Sequence, residues 1–240
     1  MMSEPMTDYR NLEAQLNSAL CLKRRPVAVA FRDRAPAGVR KFTGTEPSGC
    51  SFWRLAGEGK MFYTEPRAHY NCAIGCFTHN IPLPAERAGE MEQTLGFMMN
   101  LGYVKPEDLE HIMRLRQTPQ CVIYAPLGET PVEPDVVLFA GQPGRLMLLQ
   151  EAAIRADVGT ESSLGRPTCM ALPAALDRGL VASSGCIGNR VYTELGEDEL
   201  YVAVRGSDLP QIARELETIV TANARLAEYH QARRKELATE

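Results

Sequence analysis

Cysteines are the residues of this sequence whose type and placement could do chemistry. The chain has seven of them in 240 residues. Four lie close to glycine or proline in stretches that lack regular periodicity, namely Cys50, Cys72, Cys169 and Cys186. Thiolates that converge from loops can hold a metal ion or an iron–sulfur cluster, and nearby glycines let backbone N–H groups approach the sulfur atoms. Metal or cluster ligation is therefore the first chemistry to consider.

The spacing of these four cysteines does not by itself identify what they bind. The successive intervals are 22, 97 and 17 residues, and none matches a ferredoxin or zinc-finger pattern. One close pair, Cys72 and Cys76, forms a C-x-x-x-C that matches no thioredoxin or zinc-knuckle motif. Three roles for the cysteines stay open: metal or cluster binding, scattered structural thiols, and a redox pair of Cys72 with Cys76. The sequence contains no P-loop, G-x-S-x-G, H-E-x-x-H or dinucleotide-binding motif.

Other residues are candidates for supporting roles. Arg190, Arg54 and His69 could offset the negative charge of a thiolate cluster, although a surface arginine or a hydrogen-bonded loop histidine is the commoner role. Cys21 follows a helical stripe and Cys121 lies in an apolar run, where a free cysteine acts as a small buried hydrophobic residue. We therefore predict that both are core residues without a role in metal binding.

Composition restricts the class of protein and its partners. Asp and Glu number 30 against 26 Lys and Arg, the net charge is −4, and 45% of the residues are hydrophobic. This balance argues against a nucleic-acid footprint and no segment resembles a membrane span, so a small molecule or an electron-transfer partner is expected. The first ten residues lack the apolar core of a signal peptide, which predicts a cytoplasmic protein with reduced thiols. A homo-oligomer is compatible with these features.

The elements that would position the cysteines follow an α/β pattern. Helical spacing of apolar residues predicts helices over 9–22, 84–101, from 106 through Leu115, 142–156, and from about 209 onwards. Short apolar runs predict strands over 26–31, 60–64, 120–125, 134–140 and 199–205. The stripe of Met91, Leu95, Met98 and Met99 could line a cofactor, although core packing is its commoner role.

No repeat or linker divides the chain, so we predict one compact domain over residues 1–240. Its expected fold class is α/β, with α+β as the alternative, and a mixed sheet flanked by helices. The stretches 44–78 and 165–190 carry the candidate cysteines and are predicted to be irregular loops. Functional residues concentrate on loops held by a rigid scaffold, so we expect the site to lie where these two stretches meet.

The sequence resembles the uncharacterised DUF169 family, also described as ArCR-type. The resemblance covers roughly residues 26–216. Its most specific part is the four-cysteine set together with Gly188 and Arg190. Further matching segments are Trp53 to Ala56, His69 to Gly75, Pro134 to Phe139, Thr168 with Cys169, Cys186 to Arg190, and Asp198 to Leu200.

The resemblance implies one iron–sulfur centre, [4Fe–4S], with the four cysteines as ligands. Gly75, Gly188, Arg190 and His69 are then expected around the cofactor, and Cys76, outside the family pattern, is an alternate ligand. The expected role is electron transfer or small-molecule redox chemistry, and whether the protein is an enzyme stays open. Zinc is the alternative metal, because four thiolates also suit a tetrahedral site. The alternative function is a non-enzymatic metal-binding or redox-sensing module with structural zinc or a labile cluster.

Overall fold

A mixed sheet forms the centre of the protein in the computed structural model, which describes residues 7–163 and 166–238. Within these ranges the sheet has seven strands in the order β2-β3-β1-β4-β7-β6-β5. The strands are β1 (Val27–Arg32), β2 (Phe62–Thr64), β3 (Cys121–Pro126), β4 (Val136–Gly141), β5 (Thr160–Ser163), β6 (Leu180–Ser183) and β7 (Leu200–Arg205). Strand β5 pairs with β6 in parallel, and the other neighbours are antiparallel. The predicted α/β domain with a mixed sheet is therefore confirmed.

The central strands are apolar on both faces because helices cover both sides of the sheet. In β4, Val136 and Leu138 pack into one buried cluster, whereas Val137 and Phe139 pack into the other. Successive side chains of a strand point to opposite faces. A continuous apolar run such as this one is therefore typical of a strand that is buried on both sides.

The helices form two layers, one on each face of the sheet. Their bounds are α1 (Tyr9–Leu20), α2 (Ser51–Gly57), α3 (Ala73–Thr78), α4 (Glu90–Asn100), α5 (Pro143–Arg155), α6 (Ala171–Arg178), α7 (Ile187–Thr193) and α8 (Leu209–Leu237). Helices α1, α5 and α8 bury their apolar stripes on one face. Helices α2 and α6 pack on the other face, together with Cys50 and Cys169. No helix in the described ranges has the length and apolar character needed to cross a bilayer.

Two predicted helices differ from the structure. The helix predicted from residue 84 begins only at Glu90. The helix predicted from residue 106 through Leu115 is a 3-10 turn over Pro106–His111. Leu115 lies beyond this turn, where it is buried and its N–H donates to the Thr78 carbonyl. The turn buries none of its residues, and so short a helix is marginal without a packed face.

The prediction that the cysteine-bearing stretches are irregular was also wrong. Besides β2, which lies within the strand predicted over 60–64, residues 44–78 contain α2 and α3, and residues 165–190 contain α6, β6 and most of α7. These elements are short, between three and eight residues each. Their glycines and prolines fall at the ends of elements or in the first turns of helices. Both stretches therefore have the composition of loops although much of their backbone is regular.

Candidate functional site

The four candidate cysteines line one cavity, which we call the cysteine cavity. Its volume is ≈ 330 Å³. The cysteines that line it are Cys50, Cys72, Cys169 and Cys186. They come from four separate places in the sequence, so the fold brings together residues that spacing alone could not relate. Gly188 lines the same cavity.

Short helices position three of these cysteines. Cys50, Cys72 and Cys186 each stand immediately before a helix, at the starts of α2, α3 and α7 respectively. The Cys72 sulfur accepts a hydrogen bond from the Gly75 N–H at 3.3 Å. The Cys186 N–H donates to Thr168 Oγ1 at 2.5 Å. This second bond joins the loop before α7 to the 3-10 turn that carries Cys169.

The cysteine thiols interact with one another across the cavity. A hydrogen bond with the Cys50 thiol, together with burial, raises the pKa of Cys169 well above its usual value. Burial, with additional repulsion from Cys169 and Cys186, raises the pKa of Cys72 to about 12. Cys72 and Cys169 are therefore neutral thiols near pH 7 in the absence of a bound cation. Neutral thiols are poor nucleophiles, and a metal must displace their protons to bind.

The thiols do not form a preassembled site for a single metal ion. Across residues 7–163 and 166–238, no group of three or more His, Cys, Asp or Glu side chains stands ready to hold one. A structural zinc requires all four sulfur atoms at ~2.3 Å from one point.

Apolar side chains from the segment that contains α4 form a further wall, which we call the roof. Leu95 and Met98 of α4 contribute to it, with Leu109 and Ile112 from the following turn. None of the residues of α4 is buried. Two residues of the stripe, Leu95 and Met98, therefore face this cavity, and Met91 lines a neighbouring one.

His69 and Arg190 lie outside the residues that line this cavity. His69 is buried, with its ring packed against Phe52 and its Nε2 atom 2.8 Å from Thr64 Oγ1. Burial lowers the pKa of His69 to about 3, so the ring is neutral and offers no positive charge. The Arg190 guanidinium donates to three backbone carbonyls, those of Ser184, Gly196 and Glu199. Arg190 thus fastens the loops that flank α7.

Cys76 does not line the cysteine cavity, although it is close enough to Cys72 and Cys169 for both to help raise its pKa. Its thiol is buried and donates to the His69 carbonyl at 3.1 Å, and it lines a neighbouring cavity beside Phe77. Burial raises the pKa of Cys76 to about 12. High pKa values at both Cys72 and Cys76 work against thiol–disulfide exchange between them, because the thiolate is the attacking species.

The two cysteines assigned to the core differ from each other. Cys121 is buried in β3, as predicted. The prediction for Cys21 was wrong, because this residue is exposed. It ends α1 with a left-handed backbone, φ 50° and ψ 48°. The chain turns away from the helix at this residue, which carries the side chain off the buried stripe.

Asn189 is a cavity residue to which the sequence assigned no role. It lines the cysteine cavity and is 2% exposed. Neither its Nδ2 nor its Oδ1 atom has a hydrogen-bond partner among the described residues. Its place between Gly188 and Arg190 was the available signal, but an asparagine there is equally typical of a turn.

Comparison with known proteins identifies a family and nothing more specific. No curated protein and no solved structure matches the chain. The model of the DUF169 family, described as "Uncharacterised ArCR", matches residues 15–215. This match includes all four cysteines of the cavity and both layers of the fold. The chain therefore belongs to the DUF169 family.

Proposed function

We propose that this chain is a cytoplasmic iron–sulfur protein that holds one [4Fe–4S] cluster and serves electron transfer or small-molecule redox chemistry. One observation carries the proposal: Cys50, Cys72, Cys169 and Cys186 line a single cavity although they are distant in sequence. All seven cysteines are free thiols, which is typical of a reducing compartment.

The donor set is the one that a cubane cluster requires, with zinc as the alternative metal. Four thiols are the usual ligands of a cubane cluster. A cluster accepts each thiolate at a different iron, so its ligands are spread over the walls around it. Zinc would need all four sulfur atoms drawn to one point. When bound, the cluster would supply one-electron transfer.

The protein's own residues would prepare the thiols for this role. Cys72 and Cys169 must each lose a proton on binding, because both are neutral thiols beforehand. The Gly75 N–H already points at the Cys72 sulfur, and such donors disperse negative charge on ligating sulfur. The apolar roof limits access of water to the cavity. Metal loading is therefore expected to release protons and to weaken as the pH falls.

Metal and sulfide analysis after anaerobic purification tests the proposal directly. We expect brown protein with about four iron atoms and about four acid-labile sulfides per chain, together with a broad visible absorption. Zinc in place of iron would support a structural zinc site instead. Colourless protein without iron or sulfide, even after chemical reconstitution, would refute the proposal.

Single serine substitutions sort the ligands from the other cysteines. Cys50→Ser, Cys72→Ser, Cys169→Ser and Cys186→Ser are each expected to lower iron content or to make the cluster labile. Cys76→Ser is the matched control for Cys72→Ser, because it removes a thiol four residues further along, inside α3, that lines a different cavity. Loss of iron in Cys76→Ser with retention in Cys72→Ser would overturn the ligand assignment.

A non-enzymatic redox-sensing module is the second candidate function. The observation that favours it is the position of Cys50, Cys72 and Cys186, each at the start of a helix. Gain or loss of a cluster would thereby alter the ends of three helices at once. Proteolysis of α2, α3 and α7 that accelerates on exposure to air, in protein without redox turnover, would favour this function over electron transfer.

A further inference from the structure

Exposed apolar side chains lie on both helices that flank the opening of the cysteine cavity. On α7, Ile187 is 63% exposed and Tyr192 is 40% exposed, and both also line the cavity. On the other side, Phe97 of α4 is 64% exposed, and Leu101, which ends this helix, is 66% exposed. A concentration of exposed apolar side chains beside a site marks a candidate contact surface for a partner.

The same two helices lie in the segments that carry the negative charge of the protein. Segment 84–112, which contains α4 and the roof, has six acidic and two basic residues. Segment 187–199, which contains α7, has four acidic residues and one basic residue. Together these segments are more negative than the whole chain, whose net charge is −4. The rest of the chain is therefore net positive, and the negative charge is concentrated around the cysteine cavity.

Most of these carboxylates are available to a partner. Two acidic side chains of segment 84–112 are paired within the chain, Glu90 with Arg87 at 2.8 Å and Asp108 with Arg166 at 3.5 Å. Six others are exposed and form no salt bridge with any residue that the structure describes, namely Glu86, Glu92, Glu107, Glu110, Glu194 and Glu197. Unpaired exposed carboxylates attract a positively charged surface and speed its approach.

We propose that a basic one-electron redox protein docks on the surface formed by α4 and α7, over the opening of the cysteine cavity. Exposed apolar residues with a charged rim are typical of protein interfaces. One electron then passes between the two proteins, so that one is oxidised and the other reduced by one electron, with no transfer of a proton or a group. This inference rests on the proposed function, because the cluster is the redox centre that such a partner would approach. A second copy of the chain fits this surface less well, since it would bring two negative surfaces together.

Calorimetric titration of the anaerobically purified protein with cytochrome c tests the inference. Cytochrome c is a basic one-electron protein whose lysines can be acetylated while the haem stays in place. At low salt we expect native cytochrome c to bind at least ~10-fold more tightly than its acetylated form. Its affinity should fall at least ~10-fold between about 10 mM and about 150 mM salt, because the screening length shortens from ~30 Å to ~8 Å. Equal affinities for the two forms, or tighter binding of an acidic ferredoxin, would overturn the inference.

Charge reversal at matched positions locates the contact. Glu92→Lys combined with Glu110→Lys alters segment 84–112, and this variant is expected to bind cytochrome c at least ~10-fold more weakly. Glu217→Lys combined with Glu228→Lys is the control, because it changes the net charge equally at exposed positions of α8, which packs on the opposite face of the sheet. The control should weaken binding less than ~2-fold. Equal weakening by both variants would show that net charge alone acts and would overturn the inference.

The apolar part of the surface is tested by Phe97→Ser. Leu226→Ser on α8 is its control, because Leu226 is also more than half exposed. We expect Phe97→Ser to weaken cytochrome c binding at least ~5-fold, since an exposed ring becomes buried in the contact, and Leu226→Ser to leave the affinity unchanged. Sedimentation of the protein alone examines the other occupant. A wild-type dimer that Phe97→Ser dissociates would assign the surface to a second copy and would overturn the inference.

Iron and sulfide content, measured on the same samples, separates this inference from the proposed function. Salt-dependent binding of cytochrome c by protein that takes up no iron would support the docking surface and refute the cluster. In loaded protein, stopped-flow spectroscopy follows transfer of one electron to ferric cytochrome c after the excess reductant is removed. A rate that neither salt nor Glu92→Lys with Glu110→Lys changes would refute the docking surface and leave the cluster standing.

Discussion

Two buried histidines are expected to make the fold sensitive to mild acid. His69 and His79 are each 1% exposed. Burial lowers the pKa of His69 to about 3 and that of His79 to about 4, and each histidine has one ring nitrogen without a partner in the described structure. The unfolded chain offers both rings to water, where an ordinary histidine has a pKa of 6.5.

The direction of the effect follows from the protons bound in each state. Between pH 6.5 and about 4, the unfolded chain binds protons at both histidines, whereas the folded chain binds almost none. Stability therefore falls as the pH falls through this window. At pH 5 each histidine lies about 1.5 pH units below its unfolded pKa, which costs about 2 kcal/mol of unfolding free energy. The pair together costs about 4 kcal/mol, a large part of the stability of an ordinary domain.

Urea unfolding at pH 7 and pH 5, with chelator and reductant present, measures this cost. Other groups also titrate, so the informative quantity is the difference in pH dependence between the wild type and a double variant. His69→Gln keeps a polar atom near Thr64, and His79→Asn keeps a donor for the Gly75 carbonyl. We expect this variant to lose about 4 kcal/mol less than the wild type between the two pH values.

The matched control is His230→Gln, because His230 is exposed on α8. Its pH dependence is expected to follow the wild type. If the double variant loses as much stability on acidification as the wild type does, the two histidines are not buried in neutral form and the explanation fails.

Two further predictions concern a close backbone approach and thiol exposure. A Cβ atom at Gly206 would lie 1.8 Å from the Pro134 carbonyl oxygen. Thermal unfolding of Gly206→Ala is therefore expected to show a loss of about 3 kcal/mol or more in unfolding free energy. Gly144 has open space around it, so Gly144→Ala should lose no measurable stability. In metal-free protein, iodoacetamide should label exposed Cys21 well before buried Cys121, as followed by mass spectrometry; equal labelling rates would contradict the burial of β3.

Four of the five strands that the sequence predicted have long apolar runs, and the fifth is the short β2 within the predicted strand over 60–64. β1, β3, β4 and β7 have six residues each, and at least four residues of each are buried. β5 was missed because its four residues are all polar, and β6 because its short apolar run lies between Gly179 and Gly185. Neither segment shows the apolar pattern that identified the other strands.

Helix α6 shows how composition can hide regular structure. It contains Pro173 as its third residue, and Pro167 immediately precedes the 3-10 turn that leads into it. Proline in the first turn of a helix removes an N–H that has no intrahelical partner in any case. The prolines of this stretch were interpreted as loop signals, although one of them is compatible with the start of a helix.

The grouping of the four cysteines could be predicted from family resemblance, but their surroundings could not. Arg190 was expected to offset cluster charge because it is close to Cys186 in sequence, yet its guanidinium turns to backbone carbonyls. Sequence distance does not determine the direction of a long side chain. Asn189, its neighbour, lines the cavity instead.

The methionine and leucine stripe of α4 links the fold to the proposed chemistry. Its spacing predicted a helix with one apolar face, and Leu95 and Met98 do share a face, but that face covers a cavity lined by thiols. An apolar wall opposite thiol ligands lowers the local dielectric constant. A buried cluster charge then costs more free energy, which shifts the reduction potential of the cluster.

Because no residue of α4 is buried, this wall has few contacts of its own to hold it closed. Leu95→Asp should therefore shorten the lifetime of the cluster in air, whereas Phe97→Asp on the exposed side of the same helix should not. Equal lifetimes for the two variants would show that the roof does not protect the site.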